Sequence, residues 1–345
     1  MPVKMGFERE LVPWIEANVE LRQGSSTEFW YDQMESQSGQ SLPVLYQAFD
    51  GNVRSHFVDR GQILDFAISA GGGRVLDFGP GDGWPSLLMA PMLDEVVGVE
   101  GSRRRAEVCR RNAARLGVGN ATFVYVPVGK PLPFDDNSFD AITAASSIEQ
   151  TPDPHATLEE MHRILRPGGR LRIHYESLEF YHGRAEREVE LREAGGPTTR
   201  LTLYDREIAQ ERVRHFGLVL DLTLAGTMEI LTVSSSGLSY AKLTPSVLDA
   251  LCEHLVDAVT WISRHPSCGT LLDWLGELEF SSAKPTYDGG WFAGRLFDCL
   301  PETRRPVTEE GVDGLLMPLV EVVTTMEAPA RSRPGEWDPW ITAVV

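Results

Sequence analysis

Gly79, Gly81 and Gly83 stand at alternate positions in the run Val75-Leu76-Asp77-Phe78-Gly79-Pro80-Gly81-Asp82-Gly83, and Arg74 to Asp77 reads as a buried strand leading into them. Glycine takes positive φ and carries no Cβ, so such a turn lets backbone come close to a ligand. Trp84 to Ala90 reads as a short amphipathic helix, and Glu95 to Glu100 as a second apolar strand that ends in an acid. A carboxylate at the carboxyl end of the second strand of a βαβ unit is placed to accept both hydroxyls of a ribose. The dinucleotide fingerprint G-x-G-x-x-G has its third glycine one residue later. In this chain Asp82 stands where a pyrophosphate would have to sit, and a carboxylate there repels a diphosphate but not a sulfonium amino acid. Asp77 adds a second negative group suited to a cationic ligand or its ammonium.

At these residues the chain resembles the class I S-adenosylmethionine-dependent methyltransferases, of the small-molecule type found in ubiquinone and menaquinone biosynthesis. The first motif of that family has this acidic, glycine-rich form. The resemblance continues in order along the chain. Leu132 to Asp140 is similar to the segment leading into the family's fourth strand, Ala141 to Ala145 to the strand itself, and Ile148 to Pro154 to the loop after it. Leu158 to Leu165 reads as a helix ended by Arg166-Pro167-Gly168-Gly169, a stop signal with a proline and an αL-capable glycine. Leu171 to Tyr175 follows as the fifth strand.

The resemblance implies an α/β fold: a Rossmann-like methyltransferase sheet with helices on both faces, an N-terminal helical cover and a mainly helical C-terminal extension. It also implies S-adenosyl-L-methionine as the cofactor. Gly79, Gly81 and Gly83 are then expected against the methionine portion with Asp77 beneath it, Glu100 on the ribose, and Gly101 and Ser102 beside the adenine. The family often places an acid a few positions before the Leu-Pro-Phe segment, to meet the adenine amino group. That place holds Val128 here, which leaves the backbone N–H of Val128 or Gly129 for the ring. Ser146, at the end of the fourth strand, is expected at the edge of the cofactor.

Methyl transfer from a sulfonium is an in-line displacement, in which the protein mainly aligns the nucleophile and excludes water. A hydroxyl or amine acceptor must still lose a proton, which His or Glu could take. The candidates follow strands four and five, where ligands collect in open α/β sheets: Glu149, His174, Tyr175 and His182 as catalytic groups, Gln150 on the acceptor. Strand residues alternate in direction, so half of these must point away, and for either histidine alone a bystander role is the plainer expectation. No metal site is expected. The chain has no Asn-Pro-Pro-Tyr after strand four and no Pro-Cys nucleophile, patterns used on DNA bases; a small organic acceptor methylated on O, N or C is favoured. Protein or tRNA methylation, or a cofactor-binding partner subunit without turnover, are the alternatives.

Composition sets outer bounds. The 32 basic and 50 acidic residues give a net charge of −18, which argues against broad binding to nucleic acid or anionic membranes. A basic run, Arg103-Arg104-Arg105 with Arg110-Arg111, is read as a solvated helix face. Four scattered cysteines without C-x-x-C spacing suit a reducing compartment, and with no signal-peptide core or membrane-length apolar run a cytoplasmic protein is expected. A homodimer is also considered.

Three regions are expected to position these groups. Residues 1–69 read as a helical cover: Glu8 to Glu20 and Val58 to Ile68 have helical periodicity, with Gln33 to Gln40 a polar loop between. Aromatics there (Trp30, Tyr31, Tyr46, Phe49, with His56) either face the site or pack the helices, and Tyr31 is taken as an acceptor contact. The cofactor-binding domain is expected over 70–235, with Ser177 to Thr199 an exposed excursion, Tyr204 to Phe216 a helix capped by Gly217, and Leu218 to Ala225 with Glu229 to Ser234 the closing antiparallel pair. An alternative puts the last strand at Trp340 to Val345. Residues 236–345 are expected to form a substrate, lid or oligomerisation extension, with helices over Pro245 to His265, Leu271 to Leu278 and Gly311 to Thr325. Trp291, in a Gly- and aromatic-rich stretch, is its candidate acceptor contact.

Overall fold

Short runs of β-branched and aliphatic residues separated by glycine turns and capped helices fold the chain around two sheets. The computed structural model describes residues 11–33, 52–181, 186–194, 196–232, 238–328 and 340–345. It divides into two units, Met34–Phe180 with Pro266–Val345, and Met1–Gln33 with Tyr181–His265.

In the first unit the elements run α1 (Arg54–Ala70), β1 (Arg74–Phe78), α2 (Ser86–Met89), β2 (Glu95–Glu100), α3 (Arg103–Leu116), β3 (Ala121–Tyr125), β4 (Phe139–Ala145), α4 (Pro154–Ile164), β5 (Leu165–His174), α5 (Cys268–Glu277), β6 (Ser282–Thr286), α6 (Gly289–Cys299), α7 (Glu309–Val323) and β7 (Trp340–Val344). Local chemistry sets the ends of these helices. Gly71 stops α1 in the left-handed region at φ 75°, and Asp153 accepts the N–H groups of His155 and Ala156 to start α4, with Pro154 as its first residue. The strands assemble in the order β6-β7-β5-β4-β1-β2-β3, β1 to β5 parallel and β7 antiparallel to both β5 and β6. One face buries Leu76, Ile142 and Ile173 against Leu158 of α4 and Leu271 of α5. The other buries Val75, Val96 and Ala141 against Ile63 and Phe66 of α1.

The sheet therefore closes with the alternative strand at the end of the chain, and not with residues 218–234. The described part of that segment belongs to the other unit. There, strands Arg187–Glu193, Thr199–Glu207, Arg212–Leu220 and Leu255–Arg264 form an antiparallel sheet, with the short strand Arg22–Gln23 parallel to the last. The expected helix over Tyr204 to Phe216 is two strands joined at Glu211, which takes φ 52°. Its Asp-Arg-Glu-Ile-Ala-Gln-Glu composition favours a helix, but the alternation of Leu201 and Leu203 opposite Leu218 and Phe216 over a common core decides for strand. Likewise 245–265 is helical only over Pro245–Cys252, before the β-branched run of Leu255–Arg264 takes over. The chain passes from one unit to the other three times, at 33/34, 180/181 and 265/266. Within residues 1–69, Leu11–Asn18 belongs with the second sheet and α1 with the first. No helix among the described residues is long and apolar enough to cross a membrane.

A buried ion pair joins α1 to the closing strands. Arg172 of β5 donates from Nε and Nη2 to the two oxygens of Asp65, each at 2.7 Å. Both side chains are almost wholly buried, at 1% and 0% exposure. Arg172 also donates to Thr286 of β6, to Thr342 of β7 at 2.8 Å and to the carbonyl of Tyr287 at 3.0 Å, and its guanidinium lies 4.7 Å from the Trp340 ring centre. Asp65 accepts the Gly289 N–H at 2.7 Å, where α6 crosses α1 so closely that a Cβ on Gly61 would meet the Gly289 carbonyl at 2.4 Å. Removing one member of a buried pair costs about 3–5 kcal/mol because a charge is left unpaired. Asp65→Leu is therefore expected to lower unfolding free energy by about that amount, and Asp65→Leu/Arg172→Met to lose less than the single variant, as read by urea denaturation. A double variant less stable than Asp65→Leu would show that the pair is not the source of the loss.

Candidate active site

The turn after β1 is built by hydrogen bonds rather than by its glycines alone. Gly79, Gly81 and Gly83 have φ of 78°, 65° and 111°. The Gly79 N–H bonds the Val99 carbonyl at 2.9 Å, and the Gly83 N–H that of Pro80 at 2.9 Å. Glu100, the last residue of β2, accepts the Gly81 N–H at 3.0 Å through Oε2 and the Ser102 N–H at 2.9 Å through Oε1. Ser102, itself fully buried, caps α3 by accepting the Arg105 N–H at 3.2 Å. Gly101 is half-buried between them. Residues expected around one ligand are thus brought to one place.

Three carboxylates crowd this turn. Asp77, Asp82 and Glu100 are exposed by 1%, 5% and 7%. Burial raises the pKa of all three, and that of Asp77 reaches about 7 even though Ser86 and Thr143 donate to it. The opposing charge comes from Arg105, read from the sequence as part of a solvated helix face. It is 2% exposed, its Nη1 lies 3.2 Å from where a Cβ on Gly81 would stand, and its charge favours ionised Asp82 and Glu100. The signal was its place three residues after a Ser N-cap, on the turn of α3 that faces the sheet. Asn112, also unnoticed in the sequence, donates to the Asp82 carbonyl at 2.7 Å.

Gly79 also makes room for a neighbouring loop. A Cβ there would stand 2.5 Å from the Ser147 Cβ, so its bareness admits the loop after β4; Ser147 Oγ donates to the Phe78 carbonyl at 2.6 Å. Ser146, alongside, holds φ 51°, donates its N–H to the His174 carbonyl at 2.7 Å and places Oγ 3.2 Å from His174 Nδ1. His174 packs on Trp340 with ring centres 4.8 Å apart. Tyr175 points to the opposite face and is buried in the core of α4 and α5. Glu149 is 1% exposed and accepts the Glu176 N–H at 3.2 Å, while Gln150 is half-buried. Val128 and Gly129 form the turn after β3, Gly129 against Pro152 of the β4 loop.

The remaining candidates are dispersed. The strand register sets Thr286 of β6 level with Trp340 and His174, so the segment from Tyr287 onward leaves the same sheet edge as the β5 end. Trp291, in the first turn of α6, is 42% exposed and stacks on Tyr287 at 6.0 Å. Tyr31 lies in the other unit, where Trp30 packs edge-on against Phe29. His182, Tyr46 and Phe49 lie outside the described residues, as do 34–40 of the expected polar loop.

Residues 76–173, from β1 to β5, match the family model described as methyltransferase domain. Among curated proteins, the demethylmenaquinone methyltransferase of Clavibacter sepedonicus is 38% identical over 102 residues, 30% of this chain and 40% of that protein. The 27-O-demethylrifamycin SV methyltransferase of Amycolatopsis mediterranei is 34% identical over 103 residues, 30% of this chain and 38% of its own. Among solved structures, the CcbJ methyltransferase of Streptomyces caelestis covers 84% of this chain and 94% of its own, at 15% identity and a TM-score of 0.48. The chain spans about two fifths of the length of these curated relatives.

The pKa of Asp77 has a consequence for ligand-free protein. Its folded value of about 7 exceeds the unfolded one, so its contribution to stability is full below about pH 4 and is lost as pH rises through 7. Relative to Asp77→Asn, the wild type is expected to lose stability between pH 5 and pH 8 in denaturation experiments. Parallel profiles for the two proteins would show that Asp77 stays ionised throughout. On its family match, the segment 76–173 is a methyltransferase domain, folded as strands β1 to β5 of the seven-stranded sheet.

Proposed function

We propose that the protein is an S-adenosylmethionine-dependent methyltransferase acting on a small organic acceptor. The observation that carries this is the turn itself: Glu100 oxygens held by the Gly81 and Ser102 N–H groups, beside buried Asp77 and Asp82. Glu100 has acceptor capacity left for a ribose diol, and the acidic surroundings suit a sulfonium and an ammonium while opposing a pyrophosphate. When bound, S-adenosylmethionine supplies a methyl already activated for displacement. The chain's part is to hold and to align.

In this reading Gly101 and Ser102 border the adenine, with backbone at Val128 and Gly129 on its far side. Ser146 and His174, joined at 3.2 Å, stand beside the turn, and the His174 imidazole receives the acceptor's proton, with the Ser146 hydroxyl passing its own proton on as it takes one up. Tyr175 and Glu149 support the loop after β4 from below, consistent with their burial. Acceptor choice is assigned to segments outside β1–β5, among them Tyr287 to Phe297 with Trp291, and the unit that carries Tyr31. A net charge of −18 fits a small acceptor in the cytoplasm better than a nucleic acid.

A hydrogen bond to a charged group is worth about 1.5–3 kcal/mol, or roughly one to two decades of affinity. Glu100→Gln is expected to weaken S-adenosylhomocysteine binding by about ten- to a hundredfold in calorimetry, with the fold checked by circular dichroism. Unchanged affinity in a folded variant, or micromolar NAD binding with none of S-adenosylhomocysteine, would overturn the assignment.

A further inference from the structure

The five-stranded sheet has one apolar face, packed on Leu11, Ile15, Leu248 and Leu251, and one polar face. On the polar face Thr202 lies opposite Gly217, which is followed across the sheet by Val259, while His215 lies opposite Trp261. Arg200 is two residues before Thr202 on the same strand and the same face. All four side chains, Arg200, Thr202, His215 and Trp261, are more than nine-tenths buried, with exposures of 8%, 0%, 8% and 6%. Each has a polar atom with no hydrogen-bond partner among the described residues: Arg200 Nε, Thr202 Oγ1, His215 Nδ1 and Trp261 Nε1. Elsewhere in a folded chain such atoms are rare, because each costs about 1–3 kcal/mol. Four on adjacent positions of one sheet face are not scattered packing faults.

Their chemistry is one-sided. Arg200 Nε and Trp261 Nε1 can only donate, Thr202 can donate, and His215 Nδ1 can donate or accept. The carboxylates of this face are already engaged. Asp257 receives Arg22 at both oxygens, 3.1 and 2.8 Å, Glu188 receives Arg206 at 2.8 Å, and Glu190 receives Tyr204 at 2.7 Å. Among the described residues Arg200 makes no ion pair of its own: it feels the charge of Asp257, which Arg22 already holds, and lies 5.3 Å from the centre of Phe29 and 6.0 Å from that of Trp30. Burial pulls its pKa down, outweighing the attraction of Asp257. The rings beside it form a continuous aromatic cluster. Trp261 and His215 stack within 6° of parallel at 4.7 Å, and Phe29 lies over Gly217, where a Cβ would meet it at 2.6 Å.

We propose that this face binds a planar aromatic carboxylate, its oxygens on Arg200, Thr202 and the Trp261 N–H and its ring among Phe29, Trp30 and Trp261. The anion supplies the acceptors that the face lacks, and the ring extends the aromatic stack. This is a binding site on the second unit and does not depend on the methyl-transfer reading.

The test uses the full chain without cofactor, titrated with 2-naphthoate and with its neutral twin 2-naphthamide, followed by calorimetry and tryptophan fluorescence. Saturable 1:1 binding of the naphthoate is expected, with the naphthamide at least about tenfold weaker. Arg200→Met should weaken the naphthoate by about ten- to a hundredfold while leaving the naphthamide unchanged. Thr202→Val, which removes only the hydroxyl, should weaken it several-fold and serves if the Arg200 variant does not fold. No saturable binding at millimolar naphthoate, equal binding of acid and amide, or full affinity in both variants would overturn the proposal. S-adenosylhomocysteine titrated separately reports on the other reading, so the two can fail independently.

Discussion

Through its two carboxylate oxygens Glu100 ties the turn after β1 to the cap of α3, accepting N–H groups from Gly81 and Ser102. This bond pair fixes the distance between the two loops that leave the sheet's carboxyl edge at β1 and β2. It also creates a cost, since Asp77 and Asp82 lie in the same turn and all three acids are desolvated. Arg105 offsets part of that, and Ser86 and Thr143 hold Asp77 by hydrogen bonds. A turn with this much buried acid is poised for a ligand that brings positive charge and hydroxyl donors. Electrostatic strain in the unliganded site is the expected counterpart of selectivity.

Behind the turn, the other half of the sheet depends on Arg172. Strands β6 and β7 come from distant parts of the chain; β7 carries a short β-branched pattern, whereas β6, Ser-Ala-Lys-Pro-Thr, has little local β signal. Thr286 and Thr342 bind the same guanidinium that Asp65 neutralises, so the last two strands, α1 and the start of α6 share one buried polar centre. Such a centre contributes little net stability compared with an apolar core of equal volume, but it penalises any pairing that leaves the charge alone. It thereby sets the register that brings Trp340 against His174 at the edge of the site.

The sequence was most readable where one segment of chain builds one piece of structure. The strand, glycine turn and acid of residues 74–100 are contiguous, and Glu100, Ser102 and the three glycines stand where that pattern puts them. The end of the sheet was not legible, because residues 218–234 and 340–345 both contain β-formers and only long-range pairing separates them. The expected helix over Tyr204 to Phe216 failed for a related reason: a charged composition suggests a helix, while packing around Leu203 and Phe216 selects strands. In the site, Arg105 was hidden by its neighbours Arg103 and Arg104, which are exposed as the charge run implied. Tyr175 and Glu149 have suitable chemistry and the right place in the chain, yet the alternation of β5 and the burial of the β4 loop turn them inward.

A crystal structure with S-adenosylhomocysteine bound tests the central claim most directly. The account predicts the ribose hydroxyls on the Glu100 carboxylate, the adenine between the start of α3 and the Val128–Gly129 turn, and the sulfur on the Ser146 and His174 side of the glycine turn. A ligand bound with its ribose away from Glu100, or seated elsewhere on the molecule, would contradict it.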